Sequence, residues 1–164
     1  MVKEMTWMAE LVYNALYLIF PAYCANAAPV IFGGGTPIDG GKTFRDGRPI
    51  FGPRKTFRGF FAGLVIGTFV GFLQKNILLG FMLSLGALTG DLIESFLKRR
   101  LGRPPGAFFP VADQLDFVAG ALLFSLLVTP PSLPVALTIV VVTPPIHFST
   151  NFFAYLLGVK KEPW

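Results

Sequence analysis

The sequence predicts an all-α integral membrane protein of five transmembrane helices, with its amino terminus outside and its carboxyl terminus in the cytosol. Three observations carry that reading. Apolar residues make up 53% of the 164 residues and charged residues only 14%, with a mean hydropathy of +0.62, whereas soluble domains carry roughly 25% charged residues. Charge is also missing from whole stretches: none falls between Glu10 and Asp39, between Arg58 and Lys75, or between Asp116 and Lys160. Finally, the basic residues gather on alternate loops. A disordered chain, a disulfide scaffold and a soluble nucleic-acid binder are excluded, and the single Cys24 has no partner for an internal disulfide.

Runs of about 20 apolar residues suit a membrane-spanning helix. The first expected span covers residues 7–28, with a kink at Pro21. Ala25-Asn26-Ala27 within it imitates a leader-cleavage site, but Glu4 and Glu10 replace the clean positive charge that a leader carries. The second span covers residues 59–73, the third 77–97 and the fourth 110–129. Pro130, Pro131 and Pro134 then make a tight connection, and a fifth span over 135–157 is broken or bent at Pro144-Pro145. The whole chain reads as a single polytopic membrane domain, with cytosolic loops over 29–58 and 98–109.

Orientation follows from the loop charges. Lys42, Arg45, Arg48, Arg54, Lys55, Arg58, Lys98, Arg99, Arg100, Arg103, Lys160 and Lys161 fall on one side, and only Lys3 and Lys75 on the other. The basic side should be cytosolic. Topology alone needs two or three basic residues per loop, so the excess points to an anionic ligand or to anionic lipid headgroups.

Four acids stand where a membrane disfavours them. Asp91 lies roughly 10 Å along the third span before Lys98, below the headgroups, and an ionised group at that depth usually marks function. Asp91/Glu94 and Asp113/Asp116 are each spaced i,i+3, so each pair shares one helix face. A short loop joins their spans, which should therefore be antiparallel neighbours. Four carboxylates in one low-dielectric place need protons, cationic side chains or metal to compensate them. Their all-oxygen chemistry favours Mg²⁺, with Mn²⁺ also suitable. Metal ligation by Asp91, Glu94, Asp113 and Asp116 competes with a structural salt-bridge cluster and with a proton or cation path.

Between the first two spans runs Gly33-Gly34-Gly35-Thr36-Pro37-Ile38-Asp39-Gly40-Gly41-Lys42-Thr43. It is not a Walker motif: Thr36 stands where the template needs glycine, no strand pattern precedes it, and Gly47 and Pro49 oppose a following helix. Glycine backbone can still approach phosphate closely, so Gly34, Gly35, Thr36, Asp39, Lys42, Arg45, Arg48, Arg54 and Lys55 are candidate nucleotide-binding residues. Gly59, Gly63, Gly67 and Gly71 repeat every four residues, a small-residue face suited to an intramolecular helix contact or a homodimer seam. His147, Asn151 and Tyr155 share one face of the fifth span. They suit either packing or contact with a polar headgroup.

Gly90-Asp91-Leu92-Ile93-Glu94-Ser95-Phe96-Leu97-Lys98-Arg99, with Phe109-Pro110 and Asp113-Gln114-Leu115-Asp116, resembles the CTP-dependent phosphatidate cytidylyltransferase family over about 27 residues. That family carries Ser-x-x-Lys-Arg, a short loop, and Asp-Arg-x-Asp opening a membrane helix. Here Gln114 replaces the Arg and Pro104-Pro105 replaces a Lys-Asp pair. The compact five-span chain with its 33–58 loop is similar to the archaeal branch, the CDP-archaeol synthases. The resemblance implies transfer of CMP from CTP to an ether-linked isoprenoid lipid phosphate (digeranylgeranylglycerol phosphate), releasing pyrophosphate. It implies Asp91, Asp113, Asp116 and Lys98 as catalytic residues. One or two Mg²⁺ ions would be held by the acids, and the lipid phosphate or the leaving pyrophosphate by Ser95, Lys98 and Arg99. The implied partners are CTP, a bilayer lipid and the cell membrane, not nucleic acid. The active site would face the cytosol. A small cation or proton transporter and a lipid kinase using ATP are the rival readings.

Overall fold

The computed structural model describes residues 2–104, 112–160 and 162. The chain is all-helical: α1 is Val2–Phe32, α2 Phe57–Leu73, α3 Ile77–Arg100, α4 Ala112–Ser125 and α5 Leu133–Leu156. Phe109-Pro110, Pro105, Lys161 and the first two residues of the expected fourth span lie outside the described residues.

Three helices are long and apolar enough to cross a membrane: Glu4–Phe32, Ile77–Arg100 and Leu133–Leu156. α2, at 17 residues, is a shorter apolar helix. α4 differs most from expectation. Its 14 residues rise only about 21 Å, against a hydrocarbon core of about 30 Å. It ends at Ser125 rather than near 129, because the chain turns through residues 126–128 before Pro130-Pro131, whose rings disfavour helix behind them. Large apolar side chains such as Phe61, Val65, Phe69, Leu127 and Val141 are exposed on the outside of the bundle. In water that surface would drive association; in a bilayer it is the solvated face.

The helices stay continuous through their prolines. α1 contains Pro21 and Pro29, and α5 runs without a break through Pro144 and Pro145. Each proline removes an N–H and frees the carbonyl four residues back. The carbonyl freed by Pro21 is that of Tyr17, and Gln74 Nε2 donates to it at 2.6 Å. That bond ties the turn after α2 to the middle of α1. Gln74→Ala is expected to cost about 1 kcal/mol, a usual net hydrogen-bond contribution. The cost should shrink when Pro21→Ala restores the helical donor. A double-mutant cycle on detergent unfolding midpoints checks this; equal costs in both backgrounds would refute the pairing.

Glycine sets the helix spacing. Gly59 packs against Pro29, Gly63 against the Ala25 carbonyl and Leu88, Gly67 against Ser84 and the Pro21 carbonyl, and Gly71 against Gly80. All four are buried within the chain. This corrects the homodimer seam considered above: α1 and α3 fill that face, since no Cβ holds them away. α3 and α4 cross in the same manner, Gly86 meeting Gly120 and Gly90 meeting the backbone of Asp116. The core beneath is built mostly of small or compact residues, Ala15, Ile19, Ala22, Leu83, Ala87 and Ala121 among them, around the larger Phe117.

Candidate active site

The α3/α4 crossing brings the carboxyl half of α3 against the start of α4, and with it both acid pairs. Two lysines meet them. Lys55, from the loop before α2, donates to both oxygens of Asp91 at 2.7 and 2.6 Å. Lys98 lies 2.7 Å from Glu94 Oε1 and 2.5 Å from Asp113 Oδ1, joining the two helices through one ammonium. Asp116 Oδ1 accepts from the Phe117 N–H at 2.6 Å, and among the described residues no Lys or Arg pairs with it. Ser95 and Arg99 are buried on the same end of α3.

The expected convergence of four acids on one metal is thereby altered. Among the described residues no three His, Cys, Asp or Glu side chains are placed to hold one ion; the ammonium groups of Lys55 and Lys98 stand between the carboxylates. The donor set nonetheless suits a hard divalent cation, being oxygen throughout. Four carboxylates face two directly paired lysines, and Asp116 pairs with neither, which leaves acid for one such cation to balance.

The 33–56 loop is organised by its own polar groups. Asp39 accepts from Gly41 N at 3.0 Å, Phe51 N at 2.9 Å and Gly52 N at 2.8 Å. Burial raises the Asp39 pKa, but these backbone donors outweigh it and hold the carboxyl below the usual carboxylate range. Asp39 is thus committed to folding the loop. Arg48 Nη1 donates to the Arg100 carbonyl at 2.6 Å, capping the end of α3. Arg100 pairs with Asp46 at 2.6 Å and lies over Phe44 and Phe96. Arg58 donates to the last carbonyl of α1, that of Phe32, and to the Gly33 carbonyl just beyond it. Gly34 and Gly35 have φ of 89° and 81°, and they, Thr36, Lys42, Arg45 and Arg54 are exposed. Arg54 and Lys55 line a cleft with Pro29, Ile38, Gly59 and Asp91, so the loop reaches the acids through that pair.

His147 and Asn151 share a face as expected. Asn151 Nδ2 lies 3.2 Å from His147 Nδ1, and the His147 ring packs on Phe117, one turn beyond Asp113. Tyr155 is exposed. A nearby polar link, Tyr23 Oη to Thr143 Oγ1 at 2.7 Å, joins α1 to α5. Lys160 was not among the residues expected at the site. The turn after α5 carries it into electrostatic reach of Arg54 and Asp113, and burial followed by the Arg54 charge keeps its ammonium below the usual lysine range. Its only sequence signal was a basic residue close after an apolar span.

The comparisons with known proteins agree with one another. The CarS-like CDP-archaeol synthase family model matches residues 8–164. The chain is 48% identical to the CDP-archaeol synthase of Pyrococcus horikoshii, over 92% of this chain and 96% of that one. It is 43% identical to the CDP-archaeol synthase of Methanococcoides burtonii, over 89% of this chain and all of that one. A solved structure of an intramembrane enzyme for archaeal membrane lipid biosynthesis superposes with a TM-score of 0.77 at 37% identity, covering 85% of this chain and 94% of that chain. With nearly its whole length matched in this way, the chain belongs to the CDP-archaeol synthase family.

Proposed function

We propose that this protein transfers CMP from CTP to an ether-linked isoprenoid lipid phosphate, giving a CDP-lipid and pyrophosphate. The carrying observation is the meeting of Asp91/Glu94 with Asp113/Asp116 at the α3/α4 crossing, where Lys98 joins Glu94 to Asp113 and Lys55 pairs with Asp91. In this reading the chain crosses the bilayer five times, α4 together with the residues up to 129 making the fourth crossing. The amino terminus lies outside, and the acids and both basic loops face the cytosol, as the loop charges favour.

A phosphate oxygen of the lipid attacks the α-phosphorus of CTP, a new P–O bond forms, and the α–β anhydride bond breaks with its electrons passing to pyrophosphate. The nucleophile is already an anion, so no strong base is required; alignment and neutralisation of charge remain. Asp91, Asp113 and Asp116, with Glu94 behind them, would hold Mg²⁺, which supplies charge neutralisation at the α-phosphate and the attacking oxygen. Lys55 and Lys98 steady the acids and exchange their carboxylate partners for phosphate oxygens as substrates arrive. Gly34, Gly35, Thr36, Lys42 and Arg45 present backbone and charge to the nucleotide. Ser95 and Arg99 stand beside Lys98 at the end of α3 for the lipid phosphate.

The test is transfer of label from CTP carrying it at the α-phosphate, in detergent with Mg²⁺, to an ether-linked isoprenoid phosphate or an acyl phosphatidate. Label in the isoprenoid lipid supports the reading, and label only in the acyl lipid corrects the acceptor. Label arriving instead from the γ-phosphate of ATP would establish a lipid kinase.

A further inference from the structure

Residues 42–50 of the glycine-rich loop fold as a small hairpin. Thr43 and Pro49 face each other as an isolated bridge, Phe44 N donates to the Arg48 carbonyl at 2.7 Å, and Ile50 N donates to that of Lys42 at 3.2 Å. Every residue from Lys42 to Pro49 is exposed, so the hairpin has no core of its own. A lone two-stranded hairpin is marginally stable at best. Yet this one carries Lys42 and Arg45, the charges proposed to meet the nucleotide. Its place has to be fixed from outside.

Two arginines link it to α3, each bonding to the other's element. In the turn after α3, the N–H groups of Leu101, Gly102 and Arg103 take the carbonyls of Leu97, Arg99 and Lys98. That leaves the Arg100 carbonyl, one of the last four that a helix cannot satisfy itself, and Arg48 Nη1 donates to it at 2.6 Å. In return Arg100 Nη2 donates to the Pro49 carbonyl and, at 3.2 Å, to that of Arg48, while Nη1 donates to Asp46 at 2.6 Å. The same guanidinium lies 4.8 Å from the centre of the Phe44 ring and 4.9 Å from that of Phe96, and the two rings meet edge to face. One planar fork thus takes two carbonyls, a carboxylate and two aromatic rings. A lysine ammonium, a point charge on a flexible stem, has no equivalent geometry.

We infer that Arg100 is a positioning residue for the nucleotide: it fixes the 42–50 hairpin to the carboxyl end of α3 and so holds Lys42 and Arg45 in register with the acids on that helix. The role rests on the proposed cytidylyl transfer, in which those two side chains meet CTP. Arg100 is occupied by the hairpin and acts through it. Arg48, expected from the sequence to bind nucleotide, is committed to the other half of the same clasp.

The test uses the full chain in detergent with Mg²⁺, reading hydrogen exchange across residues 42–50 and calorimetric CTP affinity, neither of which needs turnover. Arg100→Ala should speed exchange in the hairpin and weaken CTP binding about tenfold, the scale of ordering a few loop side chains on binding. KM for CTP should rise in parallel, with kcat at saturating CTP and KM for the lipid unchanged. Arg100→Lys keeps the charge and should behave as Arg100→Ala does; rescue by lysine would reduce the role to surface charge and overturn it. Asp46→Ala, on the exposed hairpin, leaves α3 whole and should act in the same direction by less. Unchanged hairpin exchange in both folded variants overturns the clasp, and faster exchange with unchanged CTP affinity overturns its service to the nucleotide. A matching loss in kcat and in KM for the lipid would show general loosening of α3 and overturn it as well. A wild-type protein whose CTP binding depends on Arg100 but which labels no lipid would sink the cytidylyl transfer while leaving the positioning role standing.

Discussion

Asp113→Asn is expected to lower CMP transfer by on the order of 10³-fold while the protein still folds, an effect of the size seen when a group stabilising transition-state charge is removed. The amide keeps the shape of the carboxylate while removing its charge and turning one acceptor oxygen into a donor. Lys98 Nζ retains Glu94 at 2.7 Å after losing the negative partner at 2.5 Å, so the link between the helices is weakened rather than left as a lone buried ammonium. The reaction suffers more, because the lipid phosphate and the triphosphate must approach each other with like charge, and Asp113 is one of the groups proposed to hold the Mg²⁺ between them. Two roles for Asp113 separate on metal dependence. A metal ligand predicts that the Mg²⁺ concentration for half-maximal rate rises and that excess Mg²⁺ restores part of the activity. A counter-ion for Lys98 alone predicts a lower rate with an unchanged Mg²⁺ requirement. Near-normal turnover would remove Asp113 from the mechanism.

Much of this site was legible in the chain, and what was not has identifiable causes. Long uncharged runs mark α1 and α5, because a helix that crosses a bilayer has nowhere else to put 20 apolar residues. The i,i+3 spacing of each acid pair and the short loop between them suffice to bring Asp91/Glu94 to Asp113/Asp116. Spacing says nothing, however, about partners distant in sequence. Lys55 reaches Asp91 across 36 positions, a pairing created by how α2 packs. The Gly59-Gly63-Gly67-Gly71 face announces a close helix approach but not whose helix approaches, which is why a dimer seam and an internal contact read alike. Asp39 shows the same ambiguity at a smaller scale. A carboxylate in a glycine-rich loop looks identical whether it faces a ligand or, as here, three backbone N–H groups of its own loop. The short α4 went unread because the apolar run continues past Ser125 while the backbone does not.

The glycines of the α3/α4 crossing were missed for a related reason, as Gly86 and Gly90 make only one four-residue interval and Gly120 has no such neighbour on α4, and they carry the second large expectation. Gly90→Ala should reduce turnover by about 100-fold or more, the order expected when catalytic groups are misplaced by about 1 Å. A methyl at Gly90 would run into the carbonyl of Asp116 and come within 3.3 Å of Phe117 Cα. Both obstacles are backbone, so no side chain can rotate out of the way; the helices themselves must part. Overpacking of this kind costs about 1–3 kcal/mol. The displacement falls where it does most harm, since Gly90 precedes Asp91 and its obstacle is the backbone of Asp116. Parting the helices separates the two carboxylate pairs and stretches the Glu94–Lys98–Asp113 link. Ala119→Leu, on the exposed side of α4, adds greater bulk without meeting α3 and should leave both melting temperature and rate unchanged. Measured together, the two variants distinguish an effect of geometry at the crossing from a general sensitivity of α4. A Gly90→Ala protein as stable and active as the wild type would show that the acids do not depend on this backbone contact for their alignment.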